Sequence, residues 1–174
     1  NDFNGMTAAV LGYQDRYRAL PGDDPNVADR WSTQAVLPTN GGGNGQVGAL
    51  NNGAIIDCSV AGNVAGENCQ FWRHLRLAGF VAGDVASALA PQNAVSGVLQ
   101  AQNGALGLAG LVICSTNLSG KIAGAIDAQF DDGNATTGQV RGIAAANGAY
   151  ALGAEGAANY VDDGVTVYAV CKTI

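Results

Sequence analysis

Apolar residues recur at steps of three and four along the first twenty positions, and this spacing predicts an amphipathic helix over residues 1–20. The opposite face is polar and carries Asp2, Asp15 and Arg16. The pattern ends at Leu20-Pro21-Gly22-Asp23, since proline disfavours a helical residue before it and glycine permits a turn. The apolar stripe of this helix consists of Phe3, Met6, Val10, Tyr13, Tyr17 and Leu20.

Residues 21–93 are predicted to form a long connecting region that contains a second helix near residues 67–80. The run Gly41-Gly42-Gly43-Asn44-Gly45 makes turns, but it lacks the Lys-Ser/Thr ending of a phosphate-binding loop. Scattered apolar residues are expected to hold the connection against the body of the protein. These residues are Trp31, Val36, Leu37, Ile55 and Ile56.

The second helix is predicted to be amphipathic, with Phe71, Trp72 and Leu75 on its buried side. His74 lies between Arg73 and Arg76 on the other side and has no neighbouring carboxylate or cysteine in the sequence. We therefore expect His74 to lie on a solvated face and not to act as a base or a metal ligand.

Residues 94–174 are predicted to contain an antiparallel sheet. Asn103-Gly104 between apolar segments indicates a hairpin turn, and Asn147-Gly148 indicates another turn. A third helix is predicted near residues 118–130, with Asn117 or Ser119 as its N-cap. Alternation from Val165 to Cys171 predicts a half-buried final strand, with Val165, Val167 and Ala169 on one face.

The predicted fold class is therefore α+β. It consists of an N-terminal amphipathic helix packed on an antiparallel β-sheet, with a long connection and additional short helices. The length of 174 residues fits a single globular domain over residues 1–174.

Charge and composition exclude several classes of protein. The chain has 13% charged residues, a net charge of −6 and no run of Lys or Arg, so we expect no nucleic-acid partner. No apolar run approaches the ~20 residues that a membrane-spanning helix needs, so we expect this piece to be soluble. The chain also starts inside a helical pattern without an initiator methionine, from which we expect that an upstream segment has been removed.

Four cysteines, Cys58, Cys69, Cys114 and Cys171, are best explained as two disulfides in an oxidising compartment. Three connectivities are possible, and we favour Cys58 with Cys69 and Cys114 with Cys171. The first pair closes a short irregular loop, and the second ties the C-terminal strand to a central strand. Zinc ligation is not expected, because the chain has no Cys-x-x-Cys spacing and a single histidine.

Other candidate chemistry is weak. Asp131-Asp132-Gly133-Asn134 and Asp162-Asp163-Gly164 offer oxygen ligands, but turn chemistry explains both more simply than a calcium loop does. The sequence has no nucleophile elbow and no cofactor fingerprint. We therefore expect no enzymatic activity, no cofactor and no metal.

Several motifs occur in an order that resembles bacterial type IV pilin-like proteins, the family of pilins and type II secretion pseudopilins. They are Leu20-Pro21-Gly22-Asp23, Phe71-Trp72, Cys114-Ser115-Thr116-Asn117-Leu118 and Asp131-Asp132-Gly133, followed by Gly138 and Arg141. The resemblance spans most of the chain. The apolar N-terminal half-helix of the family, which a prepilin peptidase exposes, is not in this sequence.

The resemblance implies a structural subunit of a type IV pilus-type filament that supports adhesion or motility. Its partners would be other pilin subunits, and the missing segment would engage the inner-membrane assembly machinery and the prepilin peptidase. The subunit would be anchored in the inner membrane before assembly and would lie at the cell surface afterwards. The implied subunit contacts use residues of the first helix: Phe3, Met6, Val10, Asp15, Arg16 and Arg18.

Two alternatives stay open at this point. One is a type II secretion pseudopilin, although major pseudopilins typically lack a C-terminal disulfide. The other is a secreted, disulfide-containing binding or adhesin module, with which the sequons at Asn117 and Asn134 are equally compatible.

Overall fold

The computed structural model describes residues 2–48, 58, 63–153, 155–156 and 158–174, and their contacts form two compact units. Most described residues before Gln92 belong to the first unit, and those from Gln92 onward belong to the second. The α+β class is confirmed, with an N-terminal helix and a four-stranded antiparallel sheet. The single-domain organisation stays a prediction.

The described part of the first unit contains three helices: α1 (Asp2–Tyr17), α2 (Val27–Arg30) and α3 (Glu67–Leu77). Helix α1 packs against α3. It ends three residues before the predicted boundary, because Arg18 adopts a left-handed conformation with φ of 56°. The Arg18 N–H still donates to the Gln14 carbonyl, which closes the last turn at 2.8 Å.

Among its described residues, the second unit contains four strands and one helix. These elements are β1 (Leu99–Ala105), β2 (Leu108–Ser119), α4 (Gly120–Phe130), β3 (Val140–Ala144) and β4 (Val167–Thr173). All neighbouring strands are antiparallel, and their order is β1-β2-β4-β3. Helix α4 packs against the sheet and begins at the predicted N-cap Ser119, whose hydroxyl accepts from the Ile122 N–H at 3.5 Å.

The first hairpin turns at Leu106-Gly107 and not at the predicted Asn103-Gly104. Both turn residues have positive φ, 52° and 78°, as a two-residue hairpin loop requires. Leu106 tolerates this conformation while its side chain is fully buried beside Leu152. Burial of the leucine therefore outweighs the local turn preference of Asn-Gly, and the predicted turn lies inside β1.

The last strand begins two residues later than predicted. Val165 precedes β4 and is 84% exposed, so its assignment to a buried face is wrong. The Asp163 carboxylate accepts from the N–H groups of Val165 and Thr166, at 2.9 and 2.7 Å, and thereby holds Val165 in a turn. From Tyr168 to Cys171 all residues are buried, so the middle of β4 is covered on both faces.

Both predicted disulfides are present. Cys114 and Cys171 lie directly opposite each other on β2 and β4, and Cys58 is bonded to Cys69 of α3. The Cys114–Cys171 pair belongs to the main apolar cluster of the second unit. That cluster also contains Ala105, Leu106, Leu108, Val112, Leu152 and Ala169.

Candidate functional site

Helix α1 has two long faces with different surroundings. The inner face follows the predicted apolar stripe, on which Phe3, Val10 and Tyr13 are buried and Met6 and Tyr17 are half-buried. The opposite face is exposed along its length. We call it the outer seam, and it consists of Asn4, Ala8, Leu11, Asp15 and Arg18, again at steps of three and four.

The predicted subunit-contact residues differ in their exposure. Phe3 and Val10 are 3% and 1% exposed, so the chain itself already covers them. Asp15, Arg16 and Arg18 are exposed, and Arg18 lies 3.8 Å from Asp15. The polar members of the predicted set therefore lie on accessible surface, whereas Phe3 and Val10 are buried and Met6 is half-buried on the inner face.

The end of α1 is tied to the following loop by a buried polar cluster. The Tyr13 hydroxyl donates to the Asp24 carboxylate at 2.8 Å, and Arg30 reaches the same carboxylate at 2.5 Å. Burial raises the pKa of Asp24, but hydrogen bonds from Arg30, Asn26 and Tyr13 outweigh it, so the net shift is downward. The carboxylate therefore stays charged and fixes the loop after Leu20-Pro21-Gly22.

Aromatic rings extend this cluster. Tyr17 packs on Tyr13 with ring centroids 4.6 Å apart and meets the edge of Trp31 at 5.5 Å. The Arg30 guanidinium lies 4.4 Å from the centre of the Tyr17 ring. Trp31 is therefore attached to α1, as the sequence predicted for an apolar residue of the connection.

Two carboxylates hold the glycine-rich loop. Asp23 accepts from the N–H groups of Asn44 and Gly45, at 3.0 and 2.7 Å. Glu67, at the start of α3, accepts from Gly42 and Gly48, both at 2.7 Å. The backbone of this loop thus faces carboxylates of its own chain, which is not the arrangement of a phosphate site.

His74 is fully buried, so its predicted place on a solvated face is wrong. Its Nδ1 accepts from the Gly22 N–H at 2.8 Å, and its Nε2 lies 3.0 Å from the Thr39 carbonyl. Burial lowers the pKa of His74 to about 4, and the neutral ring fits this pair of contacts. His74 therefore joins the Pro-Gly turn to the connecting loop and offers no free nitrogen for catalysis or metal binding.

Arg73 and Arg76 are also buried, at 4% and 9% exposure, although the sequence placed them toward solvent. Arg73 donates to the carbonyls of Val36, Leu37 and Val85. Arg76 donates to those of Ser87 and Leu89, at 2.9 and 2.7 Å. Both arginines thus donate hydrogen bonds to loop carbonyls that are not bonded within a helix or a strand.

The loop residues held in this way point their own side chains outward. Val36 and Leu37 are 55% and 56% exposed, so the prediction that they anchor the connection is wrong. Ile55 and Ile56, predicted for the same role, lie outside the described residues. Besides Trp31 and the buried Val27 and Val47, the connection is anchored by charged side chains that bind its backbone, a pattern without apolar periodicity.

An open cavity of about 680 Å³ lies beside the end of α1. Its wall includes Gln14 and Tyr17 of the helix, Asp23, and Gly43 of the glycine-rich loop. The Asp23 carboxylate is occupied by backbone N–H groups, so it is not poised as an acid or base toward the cavity.

In the second unit, carboxylate oxygens of Asp127, Asp131 and Asp132 come within 4.8 Å of one another. Each carboxylate already accepts hydrogen bonds, from its own turn, from Tyr160 or, for Asp131, from the N–H of Val140 at the start of β3. Burial raises the pKa of Asp127, and the neighbouring Asp132 and Asp131 act in the same direction, whereas the bonds from Tyr160 and Gly133 oppose it. The predicted turn chemistry at Asp131-Asp132-Gly133 is confirmed.

Comparisons with protein-family models, with curated proteins and with solved structures found no match to this chain. Within the described part of the chain, the helices are too short or too polar to cross a membrane. The two disulfides are consistent with an extracytoplasmic, oxidising compartment.

Proposed function

We propose that this chain is a structural subunit of an extracellular filament of the type IV pilus kind. The observation that carries the proposal is the order of its parts. Helix α1 is followed by Leu20-Pro21-Gly22-Asp23, the Phe71-Trp72 helix and an antiparallel sheet whose last strand is tied by Cys114–Cys171. This order is similar to that of pilin-like proteins.

The chemistry of the conspicuous polar residues agrees with a structural role. Asp23, Glu67 and Arg73 bind backbone groups of the connecting region, and His74 does the same. Side chains used in this way stabilise a long irregular segment. In the proposal, the exposed face of α1 contacts neighbouring subunits.

The proposed partners are other copies or related subunits of the filament. An upstream segment would be processed by a prepilin peptidase and would engage the inner-membrane assembly machinery. The mature subunit would lie at the cell surface and support adhesion or motility. These assignments rest on the resemblance stated for the sequence.

The test is to delete the gene and to probe sheared surface filaments of the parent strain with an antibody against this chain. We expect the chain to co-sediment with filaments in the parent, and a filament or motility defect in the deletion strain. Recovery of the chain only as a free secreted protein would overturn the proposal in favour of a secreted binding module. A defect confined to protein secretion would instead indicate a type II secretion pseudopilin.

A further inference from the structure

The chain contains two Asn-x-Ser/Thr sequons that the proposed function does not use. They are Asn117-Leu118-Ser119 and Asn134-Ala135-Thr136, both in the second unit. In secreted proteins such a sequon is the acceptor of an N-linked glycan, which is attached to the side-chain nitrogen of the asparagine. A sequon in a folded chain is therefore competent only where this nitrogen is accessible and not already bound by the protein.

The Asn134 side chain meets both conditions. Its carboxamide oxygen accepts from the N–H and the hydroxyl of Thr136, at 3.1 and 2.9 Å. The side-chain nitrogen lies at the other end of the carboxamide and makes no hydrogen bond with any described residue. It is not one of the buried polar atoms without a partner, so it is open to solvent.

The backbone around Asn134 is fixed without help from this nitrogen. The Asn134 N–H donates to the Asp132 carboxylate at 2.8 Å. Ala135 is fully buried, its N–H donates to the Asn159 side chain at 3.2 Å, and its carbonyl accepts from the Gly142 N–H of β3 at 2.9 Å. Because these contacts hold the turn, a sugar on the nitrogen of Asn134 leaves the turn intact.

The Asn117 sequon differs in each respect, although the residue is exposed. The Asn117 side-chain nitrogen donates to the Val95 carbonyl at 2.7 Å. The hydroxyl of Ser119 is the N-cap of α4 and accepts from the Ile122 N–H at 3.5 Å. Leu118, between them, is buried in β2. The nitrogen and the hydroxyl of this sequon are thus both used by the fold where β2 passes into α4.

We infer that Asn134 accepts an N-linked glycan in the folded protein and that Asn117 does not. The Asn134 side-chain nitrogen bonds to the anomeric carbon of a diphosphate-activated sugar, and the bond from that carbon to the diphosphate breaks. The diphosphate leaves with the bonding electrons, and the nitrogen gives one proton to a base of the transferase, so nothing is oxidised or reduced. The inference does not rest on the proposed function, because a secreted module would carry the same sequon.

Peptide mapping of the chain, purified from the cells that naturally produce it, tests the inference directly. After reduction, trypsin separates the two sequons by cleaving at Lys121, into peptides 77–121 and 122–141. Mass spectrometry with electron-transfer fragmentation keeps a glycan on its residue. We expect a sugar mass on Asn134 and none on Asn117. An unmodified 122–141 peptide, or equal modification of both peptides, overturns the inference.

Variants of two adjacent threonines separate the sequon from the turn. Thr136→Ala removes the sequon hydroxyl, so we expect loss of the glycan. Thr137→Ala is the matched control and should retain it, because the Thr137 hydroxyl donates to Asp132 at 2.6 Å and lies outside the sequon. Thr136→Ser keeps a hydroxyl and should also retain the glycan. A glycan that persists in Thr136→Ala, or that is lost from Thr136→Ser, overturns the inference. Filaments built from unmodified chain would overturn it and leave the proposed function standing.

Discussion

The two units of the molecule satisfy their backbone groups by different means. In the second unit, strand ladders pair the backbone of four strands, and an apolar cluster packs around Cys114–Cys171. In the first unit, the described residues between α1 and α3 form only the short helix α2, and side chains bind the N–H and carbonyl groups of the rest. Charged residues are therefore part of the interior of the first unit, whereas in the sheet they act mainly at turns.

This difference explains why the pattern of polar and apolar residues predicts burial well in the second unit and poorly in the first. A strand satisfies its own backbone by pairing, so its side chains are free to follow apolar periodicity. An irregular segment needs donors and acceptors from elsewhere, and α3 supplies them through Arg73, His74 and Arg76. The polar face of α3 is consequently buried.

The sharpest test of this contrast compares two arginines that both donate to carbonyls. We expect Arg73→Met to destabilise the protein by about 3–5 kcal/mol, because three loop carbonyls lose a charged donor that is itself buried. Arg141 of β3 is the matched control, with a bond of 3.0 Å to the Leu106 carbonyl and partial exposure. Arg141→Met should cost about 1 kcal/mol. Urea unfolding measures both, and equal costs would contradict the contrast.

The disulfides offer a second comparison, one in each unit. In the chain-entropy model, removing Cys114–Cys171 by a double alanine substitution costs about 4 kcal/mol, since the closed loop spans 57 residues. Removing Cys58–Cys69, with a separation of 11 residues, costs about 3 kcal/mol. Thermal unfolding of the two double variants measures the order. A larger loss of stability on removal of Cys58–Cys69 would show that the first unit depends on its disulfide more than the length of the closed loop predicts.

We expect acid to lower the stability of the first unit through protonation of His74. Its pKa is lowered from 6.5 to about 4 in the folded protein, so the unfolded chain takes up a proton first as pH falls. Above pH 6.5 the ring is neutral in both states and has no effect. Between pH 6.5 and 4 stability declines, by about 3 kcal/mol in total.

Because His74 is the single histidine of the chain, a variant at this position isolates its contribution to the pH dependence of stability. His74→Asn retains an acceptor for the Gly22 N–H and does not titrate, so its stability should depend less on pH over this interval. Urea unfolding from pH 7 to 4 measures the difference between the two proteins. Parallel pH profiles would mean that other groups, such as Asp24, cause the acid sensitivity.

Apolar periodicity and cysteine count predicted the class of the fold and much of its detail. They placed α1, α3 and α4, the turn at Asn147-Gly148 and both disulfides. They misplaced the first hairpin turn, because the burial of Leu106 overrides a local preference and depends on contacts distant in sequence. They also placed β4 two residues early, since Asp163 holds the alternating Val165 in a turn.

The polar interior was the part that the sequence did not predict. Its side chains bind backbone groups that lie 19 to 52 positions away, as Glu67, Asp23 and His74 do. No short sequence motif predicts such distant pairs. The acidic pair Asp23-Asp24 after Pro21-Gly22 was the available signal. Two adjacent carboxylates directly before an irregular region are well placed to accept its N–H groups, as both do here.

The smallest expected effect on stability belongs to the exposed end of α1. Replacing Arg16 and Arg18 by Glu should change the free energy of unfolding by only about 0.5 kcal/mol, because both side chains lie off the buried face. Tyr13→Ala is the contrasting variant on the inner face. It should cost about 2–4 kcal/mol, since Tyr13 is fully buried and donates to Asp24.

Filament yield should respond to the arginine variant even though its stability hardly changes. If the exposed face of α1 contacts neighbouring subunits, as proposed, the reversed charges disturb the charge pairs of that contact and reduce assembly. Sedimentation of sheared filaments from cells that make the complete gene product, alongside thermal unfolding of the purified chain, measures the two effects separately. Normal yield from the double reversal would mean that Arg16 and Arg18 are simply solvated and do not take part in subunit contacts.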